Sequence, residues 1–130
     1  METLLVKNAR LLITMDDHGN RYPNGGLFVR GNLIEQVGSS ETLPTQADTV
    51  IDARNLVVFP GLVNAHHHFF QSLFRAMPGA QDHGLFDWLA RLLPMYAEVT
   101  EEAIYIASLT AMAEMILSGC TTSSDHLYLY

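Results

Sequence analysis

Three consecutive histidines, His66-His67-His68, are the residues of this chain best suited to chemistry. They follow an apolar run from Leu56 to Ala65 that contains Pro60-Gly61 and Asn64. In a β-strand, residues i and i+2 point to the same face. On that spacing His66 and His68 present two imidazoles side by side, and His67 turns to the opposite face. Two neutral imidazoles so placed are half of a divalent-metal site. A catalytic zinc takes three protein ligands and a water, so further ligands must come from elsewhere. Zinc held this way brings the pKa of its water from about 15.7 to about 7, which supplies a nucleophile at neutral pH. Metal-assisted hydrolysis is therefore the chemistry the pattern points to, with Zn2+ as the expected ion and Fe2+ as the alternative. A bare His-x-His is a weak signal, and a run of ordinary surface or core histidines is the competing reading.

The elements around the triplet must position it. The run ending at Ala65 is apolar on both faces, as in a strand buried in a parallel sheet. Leu85 to Tyr96 has helical potential, with Pro94 expected to kink or end it. A clearer helix follows. Thr100 suits the N-cap, Glu101 and Glu102 the positive first turn, and Gly119 the C-terminal stop. Ile106, Leu109, Ala113 and Ile116 form an apolar stripe at helical spacing, the expected core face. Cys120 to Asp125 then reads as a second strand. Strand, helix, strand is the α/β repeat of a parallel sheet or barrel, in which active sites open at the C-terminal ends of the strands. His126 falls at such an end.

The first 55 or so residues read differently. Leu4-Leu5-Val6 and Leu11-Leu12-Ile13 are two apolar runs. His18-Gly19-Asn20 and Asn24-Gly25-Gly26 are turn signals. Two strands flanking Gly31-Asn32 suggest a tight hairpin, and Val50-Ile51-Asp52 one more short strand. The expectation is a small antiparallel β unit with no chemistry of its own.

Composition narrows the functional classes. The chain has 130 residues and a net charge of −7, and 48% of it is hydrophobic, enough for a packed core. Its acidic balance disfavours a nucleic-acid partner, which would want a basic surface. No apolar run is long enough to span a bilayer, and the N-terminus lacks the pattern of a signal peptide. The lone cysteine, Cys120, cannot form an internal disulfide. A soluble, cytoplasmic protein is expected. A complete (β/α)8 barrel needs about 250 residues, so the chain is expected to be the N-terminal part of a larger protein.

The stretch Val58-Phe59-Pro60-Gly61-Leu62-Val63-Asn64-Ala65-His66-His67-His68 resembles the first barrel strand of the amidohydrolase superfamily. The signature there is Pro-Gly, two hydrophobic residues, Asp or Asn, any residue, and His-x-His. The segments His66 to Ala76, Leu85 to Leu89 and Ser118 to Tyr128 resemble the purine and triazine aminohydrolases of that superfamily, among them the 8-oxoguanine deaminases. The resemblance covers essentially the whole chain. It implies residues 1–57 as part of a small β-sandwich built from both chain ends, and residues 58–130 as the first portion of a TIM barrel. It also implies a single zinc on His66 and His68. The family completes the site with a later His and Asp, and moves protons with a later Glu and His, so the catalytic residues are expected beyond Tyr130.

The implied activity is deamination of a purine-like heterocycle such as 8-oxoguanine. The alternatives are a triazine or other amidine hydrolase, or a non-catalytic fragment. The implied partner is a small heterocyclic substrate, with no nucleic acid and no membrane; a homo-oligomer stays open. Guanine deaminases carry a Gln at the spacing of Gln71, where it contacts the purine, and an amide both donates and accepts. A loop Gln bonded to backbone is the equal alternative. Trp88 could stack on a flat ring, with helix packing the favoured alternative. His126 could approach the substrate or make a structural hydrogen bond. Asp125 is expected to orient neighbouring groups rather than bind metal, and Arg75 to be solvated. Adenosine-type deaminases often carry a Glu where this chain has Pro94-Met95-Tyr96, which favours a free base or a triazine over a nucleoside.

Overall fold

The computed structural model describes residues 1–128, in two compact units that divide after Pro60. The first unit is one sheet built from β1 (Thr3–Ile13), β2 (Arg21–Arg30), β3 (Leu33–Ser39), β4 (Thr49–Asp52) and β5 (Val57–Val58). Its order is β3-β2-β1-β4, with β5 also paired to β1. The unit is not purely antiparallel as expected. β1 and β3 run antiparallel to β2, but β4 and β5 run parallel to β1. The chain passes through a 3₁₀ turn at Ser40–Thr42 before returning beside β1. There Asp48 Oδ2 accepts from both Thr3 N–H and Thr3 Oγ1–H, each at 2.7 Å, at the start of β4. Such a pairing joins residues far apart in sequence, so local patterns do not announce it.

The two apolar runs of the N-terminus are one strand. A bulge between Val6 and Ala9 joins them, with Asn8 at φ 62°. Asn tolerates that left-handed backbone better than most residues, and its N–H donates to Ser40 Oγ at 2.7 Å. The hairpin forms as expected, with Arg30 opposite Leu33 and Gly31 at φ +60°. Asn24-Gly25-Gly26, in contrast, is no turn but lies inside β2. Glycine is used there for close approach, because a Cβ at Gly26 would collide with the Val6 carbonyl and the Leu43 side chain. Leu5, Phe28 and Leu43 form one core cluster of the unit, and Ala9, Leu12 and Ala53 another.

The second unit contains β6 (Leu62–Asn64), 3₁₀ segments at Phe69–Phe74 and Pro78–Ala80, α1 (Leu85–Tyr96), α2 (Glu101–Leu117) and β7 (Cys120–Ser123). β6 and β7 are parallel neighbours, Leu62 opposite Cys120 and Asn64 opposite Ser123. This is the expected strand, helix, strand arrangement. The apolar run from Leu56 to Ala65 is two strands rather than one. Val57–Val58 pair with Leu11–Leu12 in the first sheet, and Leu62–Asn64 belong to the second. The division between the two units accordingly lies after Pro60. Proline gives no N–H to a ladder. Gly61 lies against Thr121 of β7 so closely that an added Cβ would overlap its side chain.

α1 continues past Pro94 to Tyr96. The proline sits in the last turn, where only the Ala90 carbonyl loses a partner, and Leu92 and Tyr96 hold the turn from the core side. Those two residues join Phe70 and Ala80 as the core of the unit, with the Phe70 and Tyr96 rings edge to face at 5.1 Å. In α2 the Thr100 hydroxyl accepts from Ala103 N–H at 3.2 Å, and Gly119 takes φ 83° just beyond the C-cap. The core face of α2 departs from expectation. Ala107 and Ala111 are buried and Ile104 packs on the core. Ile106, Leu109 and Ile116 are 53%, 51% and 72% exposed, on the opposite face. The helix is apolar nearly all round, so periodicity did not single out one face. The two alanines let the Phe69–Phe74 segment approach, and Ser72 Oγ–H donates to the Ala107 carbonyl at 2.8 Å. Among the described residues no helix is long and apolar enough to cross a membrane.

Candidate metal centre

The histidines do not lie within β6, which ends at Asn64. They occupy the segment that leaves it. Asn64 starts this departure, its Oδ1 accepting from His66 N–H at 3.1 Å. The segment leaving β7 runs alongside and replaces the missing ladder. Ser124 N–H donates to the Asn64 carbonyl at 3.0 Å, Ser124 Oγ–H to the Ala65 carbonyl at 2.8 Å, and His126 N–H to the His67 carbonyl at 2.8 Å.

The His66 and His68 rings stand 5.2 Å apart, centre to centre, and nearly perpendicular at 76°. His126 brings a third imidazole. Its ring stacks on His66 at 4.7 Å and lies 5.3 Å from His68. Among the described residues no set of three or more His, Cys, Asp or Glu side chains is placed to hold a metal ion. The described residues thus bring two imidazoles together but no complete ligand set.

The donor chemistry fits that role. His68 Nδ1 lies 2.8 Å from the His126 carbonyl oxygen. A carbonyl only accepts, so Nδ1 carries the proton and the Nε2 lone pair of a neutral ring is left for a metal ion. Metal-binding histidines are habitually oriented by such a bond from the other ring nitrogen. His66 is exposed and its ring makes no hydrogen bond among the described residues.

An open cleft of about 380 Å³ adjoins the pair, lined in part by His66, His68, Gln71, Arg75, Met77 and Trp88. Among the described residues the Gln71 amide bonds to no backbone group. Its Nε2 donates to Tyr128 Oη, whose ring stands edge-on to His68 at 5.5 Å. Trp88 faces the cleft while packing on the core cluster of Phe70 and Leu92. Arg75 is not merely solvated. Its guanidinium grips Glu114 of α2 with two bonds, at 3.0 and 2.6 Å, and that contact holds the Glu114 carboxyl below the usual carboxylate range. The sequence gives no signal for this pair, which joins residues 39 apart. Tyr128 likewise carries no signal in the sequence, because an aromatic after a strand end is indistinguishable from core. Burial, with Tyr128 nearby, pushes the Tyr96 phenol up to about 12.

The chain belongs to the amidohydrolase family, whose pattern residues 57–129 match. Over 107 residues it is 44% identical to the 8-oxoguanine deaminase of Pseudomonas aeruginosa, covering 82% of this chain and 24% of that enzyme. It is 42% identical to the 5'-deoxyadenosine deaminase of Methanosarcina barkeri, over the whole chain and 29% of that enzyme. Among solved structures, an atrazine chlorohydrolase mutant of Arthrobacter aurescens, complexed with zinc and atraton, superposes with a TM-score of 0.88 at 26% identity, over 96% of this chain and 29% of that one. The chain thus spans 24–29% of the length of these relatives.

Proposed function

We propose that the protein is a metal-dependent aminohydrolase acting on a purine-like heterocycle such as 8-oxoguanine. His66 and His68 would hold one zinc ion at the C-terminal mouth of a TIM barrel whose first strands are β6 and β7. The observation that carries this reading is the His66–His68 pair, 5.2 Å apart, with His68 Nδ1 tied to a backbone carbonyl beside a cleft. Bound metal would supply an activated water at neutral pH. In the overall reaction water adds at the ring carbon bearing the amine, the C–N bond breaks, and ammonia leaves with the proton.

The chain's own residues bind and orient. Gln71 presents an amide able to donate to and accept from a purine edge once it leaves Tyr128. Trp88 supplies a flat apolar wall. The remaining ligands and the proton-transfer groups would come from outside this sequence, and the 130 residues alone are expected to be inactive. The zinc in the superposable chlorohydrolase structure supports the choice of metal. That same likeness favours a triazine ring as the second reading.

The test is ammonia release by the complete protein from a panel of 8-oxoguanine, guanine, 5'-deoxyadenosine, cytosine and hydroxylated triazines. Release from 8-oxoguanine, at a kcat/KM at least tenfold above the rest, is the expected outcome. Release confined to triazines would replace the first reading with the second.

A further inference from the structure

We propose that Asp125 is a positioning residue for the His66–His68 pair, holding the His126 carbonyl where it fixes the tautomer of His68. This deepens the metal-centre reading and rests on it. Asp125 Oδ1 accepts from Phe69 N–H at 2.9 Å, although the two residues are 56 apart in sequence. Phe69 opens the 3₁₀ segment, and His68 at its N-cap offers no side-chain bond. The first N–H groups of a helical segment lack internal partners, and here the partner arrives from the neighbouring chain segment. The bond pins the backbone immediately after His68. His126 N–H pins it immediately before, at the His67 carbonyl.

Asp125 and His126 are adjacent, so one short stretch grips the His68 backbone on both sides and also meets its ring. Fixing the backbone fixes where the His68 ring can reach, and the carbonyl at 2.8 Å then decides which nitrogen carries the proton. In this arrangement Asp125 Oδ1 is engaged by Phe69 N–H. Removing its acceptor frees the 3₁₀ start, and the carbonyl and ring lose their register. Outer groups of this kind change metal affinity by roughly 10- to 100-fold.

The experiment uses the complete protein with ¹⁵N-labelled histidine, stripped of metal, and then zinc titrated against a chromophoric chelator. His68 is expected as the Nδ1–H tautomer in the parent and in Asp125→Asn, whose amide oxygen still accepts. Asp125→Ala is expected to show mixed tautomers and zinc binding weaker by roughly 10- to 100-fold, with a thermal melt confirming that it folds. An Nε2–H tautomer in the parent would overturn the assignment, whatever the variants do. So would a folded Asp125→Ala protein that binds zinc as tightly as the parent, or an Asp125→Asn protein as weak as the alanine variant. A parent with the Nδ1–H tautomer but no zinc affinity would overturn the metal reading alone and leave the tautomer clamp standing.

Discussion

A backbone carbonyl 2.8 Å from His68 Nδ1 does more to define this centre than the number of histidines near it. It explains how a ring outside any strand can be held in one orientation. The two rings stand 5.2 Å apart, and the pairing of His66 with His68 was legible in their spacing. What holds them was not. The partners of Gln71, Arg75 and Asp125 all come from more than 35 positions away, and no local spacing encodes them. Charge at single residues also shapes the first unit. Asp52 accepts from Arg54 and from Asn8 Nδ2, and those bonds lower its carboxyl to about 2, Arg54 contributing most. A carboxyl depressed by folding stabilises the native state above its unfolded pKa, and that contribution is lost as pH falls through the folded value. Stability is therefore expected to decline from about pH 4 toward pH 2 with a component from Asp52. Urea unfolding midpoints of the parent and Asp52→Asn across that range should show a shallower slope for the variant. Equal slopes would mean that the Asp52 bonds do not persist in solution.

At the scale of elements, the α2 caps and the Gly31 turn read true, because each depends on neighbours within a few residues. Thr100 caps α2 and Gly31 turns the hairpin for reasons local to those sequences. Faces and partners were harder. α2 carries apolar residues on every side, so its buried line of Ile104, Ala107 and Ala111 is selected by how closely small residues let the Phe69–Phe74 segment approach. The glycines of β2 resemble a turn but serve close packing. Gly61 does the same work between β6 and β7. Gly61→Ala would drive a methyl group into Thr121 and force the two parallel strands apart at the base of the histidine segment. Overpacking of this kind costs about 1–3 kcal/mol. The loss should appear in the denaturation midpoint and be partly recovered by adding Thr121→Ala. A Gly61→Ala protein as stable as the parent would show that the strands tolerate wider spacing.

For the whole molecule, the apolar faces explain why activity is assigned to the complete protein. Leu109 and Ile116 of α2, with Leu33 and Ile34 of β3, are more than half exposed. An apolar helix face of this extent ordinarily lies against further structure. The chain spans only 24–29% of the length of the relatives described above, and two imidazoles cannot complete a catalytic zinc site. The central claim is that these two residues hold the metal on which hydrolysis depends. The most direct measurement is the metal content of the purified complete protein, read beside its ammonia release, for the parent and for a His66→Ala/His68→Ala double variant. One zinc ion per active chain in the parent, with both metal and activity lost from a folded double variant, is the predicted result. A double variant that keeps its metal and its rate, or a metal-free parent that remains fully active, would contradict it.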